Sequence, residues 1–125
     1  MKLRIKGNSL RLRLTRSEVA TLGSGGRVAE TVMFAPQNIL TYIVESANIA
    51  AITADYTGAQ ILIRVPAEGA TRLSESDEVG LSSEQAIGEN LKLTIIIEKD
   101  FTCLTPRGDE DADTFHHPQQ STHAC

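Results

Sequence analysis

The first fourteen residues alternate apolar and charged side chains, and this pattern constrains the fold more than any other feature of the chain. Leu3 and Ile5 alternate with Lys and Arg. After the turn sequence Gly7-Asn8-Ser9, the alternation resumes with three leucines, Leu10, Leu12 and Leu14. A period of two around a Gly-Asn turn predicts a β-hairpin with one face on the core and the other in water.

A helix and a second pair of strands are predicted to follow. Thr15 and Glu18 have the spacing of a capping box, and Val19 and Leu22 give the helix a short apolar stripe. The glycine-rich run 23–26 ends that helix. Extended segments over 28–34 and 39–45 flank a turn at 35–38.

The second half of the chain repeats this order. Its predicted elements are strands over 51–56 and 60–65, a helix after Pro66 with Ala70 and Leu73, a possible short strand at 79–81 and a strong strand at 91–98. Shifting the numbering by 51, from Leu14 to Val65, superposes Gly7 on Gly58 and Arg13 on Arg64. The shared order favours an internal repeat, and coincidence between two amphipathic units is the alternative.

These elements predict an α+β fold in which an antiparallel sheet curls or closes into a barrel. Two pseudo-symmetric ββαββ units, about 1–46 and about 51–100, supply eight strands and two short helices. We expect one globular domain over residues 1–104. Residues 105–125 are polar, acidic and rich in histidine, so we expect a mobile tail there.

Charge and hydropathy exclude several classes of protein. A net charge of -4 argues against nucleic-acid binding, which requires a basic excess or stripe. No apolar run is long enough to span a membrane, and the alternating start does not resemble a signal peptide. The two cysteines do not suggest a disulfide framework, so a cytoplasmic location is expected.

The basic residues are concentrated at the start of the chain. Between residues 1 and 27 one acid, Glu18, accompanies seven basic residues, Lys2, Arg4, Lys6, Arg11, Arg13, Arg16 and Arg27. Five of them share one side of the predicted hairpin and are called the basic face here: Lys2, Arg4, Lys6, Arg11 and Arg13. With Arg64, the counterpart of Arg13, they are candidate ligands for an anion. The alternative is a solvated sheet face whose charges discourage aggregation.

A second candidate site lies in the C-terminal segment. Thiolate, imidazole and carboxylate groups are suitable ligands for zinc or another divalent transition metal, and the segment offers Cys103, Asp111, Asp113, His116 and His117. Their spacing matches no closed zinc site or calcium loop, so an ordinary polar tail is the alternative.

Cys103 is also a candidate nucleophile, because it follows a strong strand near Lys99 and Asp100. Catalysis would require a positioned base, and the only histidines lie at least 13 positions further on, at His116, His117 and His123. A buried, inert cysteine is the alternative interpretation. No nucleophile elbow or phosphate-binding loop accompanies it.

Two stretches have a distinctive sequence: the opening Lys2-Leu3-Arg4-Ile5-Lys6-Gly7-Asn8-Ser9, and Glu98-Lys99-Asp100-Phe101 followed by Cys103-Leu104. Together they resemble an uncharacterised family of small bacterial proteins, a domain of unknown function. The resemblance implies a bacterial, cytoplasmic, stand-alone domain and carries no activity. The eight-strand order is also similar to the triphosphate-tunnel enzymes, but the glutamates of their first strand are missing here.

These observations favour a non-catalytic binding or accessory protein. Its expected partner is a small anionic ligand or a protein that contacts the basic face, with neither nucleic acid nor membrane involved. A metal-binding accessory protein that uses Cys103 and the acid–histidine tail is the alternative. A thiol- or phosphate-handling enzyme is the third possibility.

Overall fold

A computed structural model describes residues 1–101 of the chain, which form eight strands and two helices. In chain order these are β1 (Lys2–Lys6), β2 (Ser9–Leu14), α1 (Arg16–Gly23), β3 (Arg27–Ala35), β4 (Asn38–Ala47), β5 (Thr53–Thr57), β6 (Gln60–Pro66), α2 (Ala67–Glu75), β7 (Gly80–Gly88) and β8 (Leu91–Lys99). The predicted α+β class and the predicted order of elements are thus found in the structure.

The strands form two four-stranded sheets instead of one. Sheet A has the order β1-β2-β8-β7, and sheet B has the order β3-β4-β6-β5. Four antiparallel hairpins are formed, by β1 with β2, β3 with β4, β5 with β6 and β7 with β8. The central pairs, β2 with β8 and β4 with β6, are parallel. The prediction of a purely antiparallel sheet is therefore wrong. Hairpin signals are local, whereas each central pair joins strands from different halves of the chain.

The parallel central pairs give the molecule two different ends. Ser9 pairs with Thr94 and Thr41 pairs with Gln60, so within each sheet the two hairpin turns lie at the same end. Both helices leave from the opposite end of the strands and pack against each other. At that contact a Cβ atom on Gly23 would collide with the side chain of Ser74, so glycine allows the helices to approach closely.

The core lies between the two sheets and the helices. Each sheet contributes alternate residues from its central strands, such as Leu12 and Ile97 from sheet A and Val44 and Ile63 from sheet B. Helix α1 adds Val19 and Leu22, and its N-terminus is fixed by the predicted capping box. The Thr15 amide donates to Glu18 Oε1 at 2.8 Å, and Thr15 Oγ1 accepts from the Glu18 amide at 3.4 Å.

Hydrogen bonds and ion pairs that involve side chains, and not strand pairing, connect the sheets along their two sides. On one side Gln85 of β7 donates from Nε2 to the Ala54 carbonyl at 2.9 Å and accepts from the Ala54 amide at 2.8 Å. On the other side the Met1 ammonium lies 2.7 Å from Glu18 Oε2 and 3.3 Å from Glu30 Oε2. Over residues 1–101 the strands therefore form two separate sheets, and no closed barrel is found.

Strand β7 is much longer than the short segment predicted at 79–81. Its inward positions include Ser83, which donates to the Ile52 carbonyl at 2.9 Å, and Gln85. Inward positions of a strand are usually apolar, so polar residues at these positions hide the alternation that marks a strand in sequence. In the structure they bind the backbone near the edge of the other sheet. Neither α1 nor α2 is long and apolar enough to cross a membrane, and the described chain has no other helix.

Candidate binding face

The register of the first hairpin places the basic face on the outside of sheet A. Lys2 stands opposite Arg13, Arg4 opposite Arg11, and Lys6 opposite Ser9. Opposite residues in an antiparallel pair point to the same side of the sheet. The intervening pairs, such as Leu3 with Leu12, point to the core instead. The five basic residues therefore share one face of two adjacent strands.

The turn between these strands is fixed by its own hydrogen bonds and by β8. Gly7 has a φ of +55°, a conformation that favours glycine, and Ser9 Oγ donates to the Lys6 carbonyl at 2.7 Å. The Asn8 carbonyl accepts from the Thr94 amide at 3.1 Å. The hairpin is thus held against β8 at its turn as well as along the strand, so the basic face is supported by the sheet.

Two carboxylates lie among the five basic side chains. Glu98 of β8 is next to Arg13 in register, and its Oε1 accepts from Arg13 Nε at 2.7 Å. The same oxygen lies 3.7 Å from Arg11 Nε. Asp100 Oδ2 lies 3.3 Å from Lys2 Nζ. Within the described residues, Glu98 and Asp100 therefore partly neutralise the cations of the basic face.

Arg64 lies in the other sheet and does not join this group. It is on β6, where its Nε is 3.4 Å from Glu45 Oε2. Arg27 donates to Glu45 Oε1 from Nη2 at 2.6 Å and from Nε at 3.1 Å. The hydrogen bonds from Arg27 lower the pKa of Glu45; burial opposes this, and the hydrogen bond from Arg64 adds to it. Arg64 and Glu45 thus form an ion pair in sheet B that corresponds to Arg13 and Glu98 in sheet A.

Sequence reasoning missed the role of Glu98 beside the arginines. The contact depends on the parallel pairing of β2 with β8, two strands separated by most of the domain. One signal was present, because Glu45 and Glu98 are matched when the halves are superposed with a two-residue shift. Without the strand order, that match does not say which arginine each glutamate contacts.

The predicted metal ligands Cys103, Asp111, Asp113, His116 and His117 all lie outside the described residues. Within residues 1–101 there is no group of three or more His, Cys, Asp and Glu side chains that could hold a metal ion. The structure therefore brings together five of the predicted anion ligands, separates Arg64 from them, and leaves the metal prediction untested.

A concave surface lies between α2 and β7. This cleft of about 590 Å³ is lined by residues of both elements, including Gly69, Arg72 and Ser82. Arg72 Nε donates to Glu78 Oε2 at 2.7 Å, so the cation of the cleft already has an acidic partner. The basic face remains the stronger candidate because it groups five cations on two adjacent strands.

A family model described as "Family of unknown function (DUF7009)" matches residues 1–119 of the chain. The match confirms the resemblance to an uncharacterised family that was drawn from the opening hairpin and the segment after β8. No curated protein and no solved structure matches the chain.

Proposed function

The chain belongs to this family of unknown function, DUF7009, and we propose that it is a non-catalytic binding protein. Its basic face recognises an extended acidic segment of a partner protein. The proposal rests on the chain's own residues, because the family description assigns no activity.

One observation carries the proposal: basic residues stand directly opposite each other across β1 and β2, as Lys2 with Arg13 and Arg4 with Arg11. Like charges in this arrangement lower the stability of a sheet. Protection of an exposed edge explains the cations of β1, which is an edge strand. It does not explain the cations of β2, because that strand is paired on both sides. Arg13 binds Glu98 there, while Arg11, 3.7 Å from the same carboxylate, stands opposite Arg4.

The shape of the basic face favours an extended partner. Side chains on one face of a strand are about 6.6 Å apart, because the strand rises about 3.3 Å per residue. The same spacing separates alternate side chains of an extended peptide, so acids at every second position match the rows that begin with Lys2, Arg4 and Lys6. Arginine adds geometric specificity through two parallel hydrogen bonds to one carboxylate.

We also propose that the two ββαββ units are copies of one repeat. Three features support this. The strand orders β1-β2-β8-β7 and β5-β6-β4-β3 correspond element by element, each half has its helix between its hairpins, and the pair Arg13–Glu98 has a counterpart in Arg64–Glu45. A cytoplasmic location is part of the same proposal and agrees with the expected protein partner.

The test is binding of a labelled peptide with glutamate at alternate positions, measured by fluorescence anisotropy at several salt concentrations. We expect the double variant Arg4→Gln with Arg11→Gln to bind at least tenfold more weakly, a change of about 1.4 kcal/mol. We also expect it to show a smaller dependence on salt, since fewer charges are neutralised.

The matched control is Arg27→Gln with Arg64→Gln, which removes the same charge from the outer face of sheet B. We expect less than a twofold change there. Equal losses in both double variants would mean that net charge alone drives binding and would refute the proposed site. Binding of citrate but not of the peptide would replace the protein partner with a small anion.

The two other candidate functions rest on Cys103 and the residues after it, outside the described part of the chain. No observation within residues 1–101 favours the metal-binding protein or the thiol- or phosphate-handling enzyme over the binding protein.

A further inference from the structure

Apolar side chains are exposed mainly at the end of the molecule that carries the hairpin turns. Within residues 1–101, all the exposed large apolar residues except Val79 and Phe101 lie there: Ile5, Val32, Met33, Phe34, Ile39, Tyr56, Ile87 and Leu91. All four hairpins contribute to this set, which is called the turn-end patch here. Exposed apolar clusters of this kind mark surfaces that bind another molecule.

The turn-end patch includes a projecting hairpin. Strand β4 pairs with β6 only from Thr41 onward, so its first residues and the facing end of β3 extend beyond the neighbouring hairpin. Phe34, near the tip of this projection, is 68% exposed, and Met33 is 66% exposed. The hairpin therefore presents two large apolar side chains away from the body of the molecule.

The same end contains an apolar opening between the sheets. Residues from both sheets line a cleft of about 370 Å³, among them Leu10 and Leu93 of sheet A and Leu40 and Tyr56 of sheet B. Among residues 1–101, Asp55 is the only charged residue in this lining. The volume falls in the range of about 300–1,000 Å³ that is usual for ligand sites, and the lining suits an apolar side chain.

The charges at this end are of both signs. Lys6 and Lys92 lie near the turns of sheet A together with Glu84 and Glu89, and Lys92 Nζ is 3.9 Å from Glu84 Oε2. An anionic membrane surface attracts clusters of cations, which this mixture does not provide. Two identical surfaces with mixed charge approach each other without strong repulsion.

We infer that the turn-end patch binds a second copy of this chain. The β3–β4 hairpin of each copy places Phe34 in the opening between the sheets of the other, in a closed arrangement with two-fold symmetry. If a fully exposed large apolar residue presents about 200 Å², the patch offers roughly 900 Å² per copy, similar to the 800 Å² that each partner buries in a standard interface. The interface uses the turn end and not the Lys2–Arg13 and Arg4–Arg11 rows of the basic face, so the inference does not depend on the proposed function.

Sedimentation velocity across a hundredfold range of concentration tests the inference. We expect the full chain to form dimers, and Phe34→Lys to weaken self-association at least tenfold. Tyr56→Lys alters the opening instead of the projection and should give a similar loss. Both residues are exposed in the single chain, so circular dichroism should show that the variants remain folded.

Val79→Lys is the matched control, because Val79 is 61% exposed but lies at the start of β7, away from the turns. We expect it to leave self-association unchanged. An equimolar mixture of Phe34→Lys and Tyr56→Lys should recover part of the dimer, because one of the two contacts then joins an intact projection to an intact opening.

Three results would overturn the inference. The first is a full chain that remains monomeric over the whole range of concentration. The second is a loss of self-association in Val79→Lys as large as in Phe34→Lys. The third is a monomer that native mass spectrometry shows to carry a bound hydrocarbon, since the opening would then hold a ligand instead of a second copy.

Discussion

The outer faces of the two sheets share one ion pair and differ around it. In sheet A, Arg13 and Glu98 are adjacent, and the next residue in the row beyond Arg13 is Lys2. In sheet B, Arg64 and Glu45 are adjacent, and the residue beyond Glu45 is Arg27, which also bonds to that glutamate. Sheet B thus places its acid between two bases, whereas sheet A places two bases side by side.

The next row of each sheet shows the difference more clearly. In sheet A it reads Arg4, Arg11, Ile96 and Ser82, and in sheet B it reads Asp55, Leu62, Ile43 and Ala29. Ile43 is only 5% exposed although it lies on an outer face. The row of sheet B therefore has no like charges opposite each other, whereas the row of sheet A places Arg4 opposite Arg11, an arrangement that lowers the stability of a sheet.

The strongest test of equivalence between the sheets is a pair of matched core substitutions. Leu12 and Ile63 occupy corresponding positions on β2 and β6, and both are 0% exposed. We expect Leu12→Ala and Ile63→Ala each to lower the free energy of unfolding by about 2–5 kcal/mol, because each leaves a cavity between the sheets. Urea denaturation measures both. If the two losses in the free energy of unfolding differ by more than about 2 kcal/mol, the two positions do not contribute equally to stability.

A smaller effect is expected where the sheets meet along β5 and β7. Gln85→Ala removes both hydrogen bonds to the Ala54 backbone and should lower the free energy of unfolding by about 1–2 kcal/mol. Gln85→Glu keeps the acceptor and loses the donor, so its loss should be smaller at low pH than at neutral pH. Glu84→Ala, at an outward position with its side chain 62% exposed, is the control and should change stability by less than about 0.5 kcal/mol. If Gln85→Ala and Glu84→Ala change stability equally, Gln85 does not help to hold the two sheets together.

On the side of the molecule opposite Gln85, the sheets are connected by the ion pairs of the Met1 ammonium with Glu18 and Glu30, so this contribution to stability should depend on pH. Burial lowers the pKa of the Met1 ammonium, but the hydrogen bond and charge of Glu18, followed by those of Glu30, raise it overall above the ordinary value of 8.0. Burial raises the pKa of Glu18, but the hydrogen bond from the Met1 ammonium and the bond from the Thr15 amide bring it below 4.5. The amine's contribution is complete below pH 8.0 and is lost as the pH rises through its raised pKa. The carboxylate's contribution is present above pH 4.5 and is lost as the pH falls through its lowered pKa.

Melting temperatures measured across both ranges check this prediction. We expect Glu18→Gln to reduce the loss of stability both at alkaline pH and at acid pH. Each of these two reductions should be below about 1 kcal/mol, because the Glu18 side chain is partly exposed to solvent. Glu45→Gln should reduce only the acid loss, because the partners of Glu45 are two arginines and not an amine. An alkaline response that is identical in the wild type and Glu18→Gln would rule out this ion pair as its source.

Local patterns predicted the elements of this fold better than their assembly. The capping box at Thr15 and the hairpin turn at Gly7 were correctly predicted, because both depend on residues a few positions apart. The parallel pairing of β2 with β8 was not, because no local pattern identifies which strands meet across the chain. The basic face was predicted because alternation along β1 and β2 determines which side chains share a side. Glu98 and the separation of Arg64 were not, since both follow from the strand order.

The smallest expected effect tests the reason for the difference between the sheets. Arg11→Leu gives sheet A the residue that sheet B has at Leu62, and places it beside Ile96 as Leu62 lies beside Ile43. It removes a cation opposite Arg4 and adds an apolar cross-strand contact, while it gives up the contact of Arg11 with Glu98, 3.7 Å away. We expect a net gain in the free energy of unfolding of about 0.5 kcal/mol, measured by urea denaturation, together with weaker binding of the acidic peptide. The reverse substitution, Leu62→Arg, should not create a peptide site, because Asp55 stands opposite position 62 and pairs with the added cation. A loss of stability in Arg11→Leu would mean that Arg11 supports the sheet, and stability alone would then account for the opposed cations of sheet A.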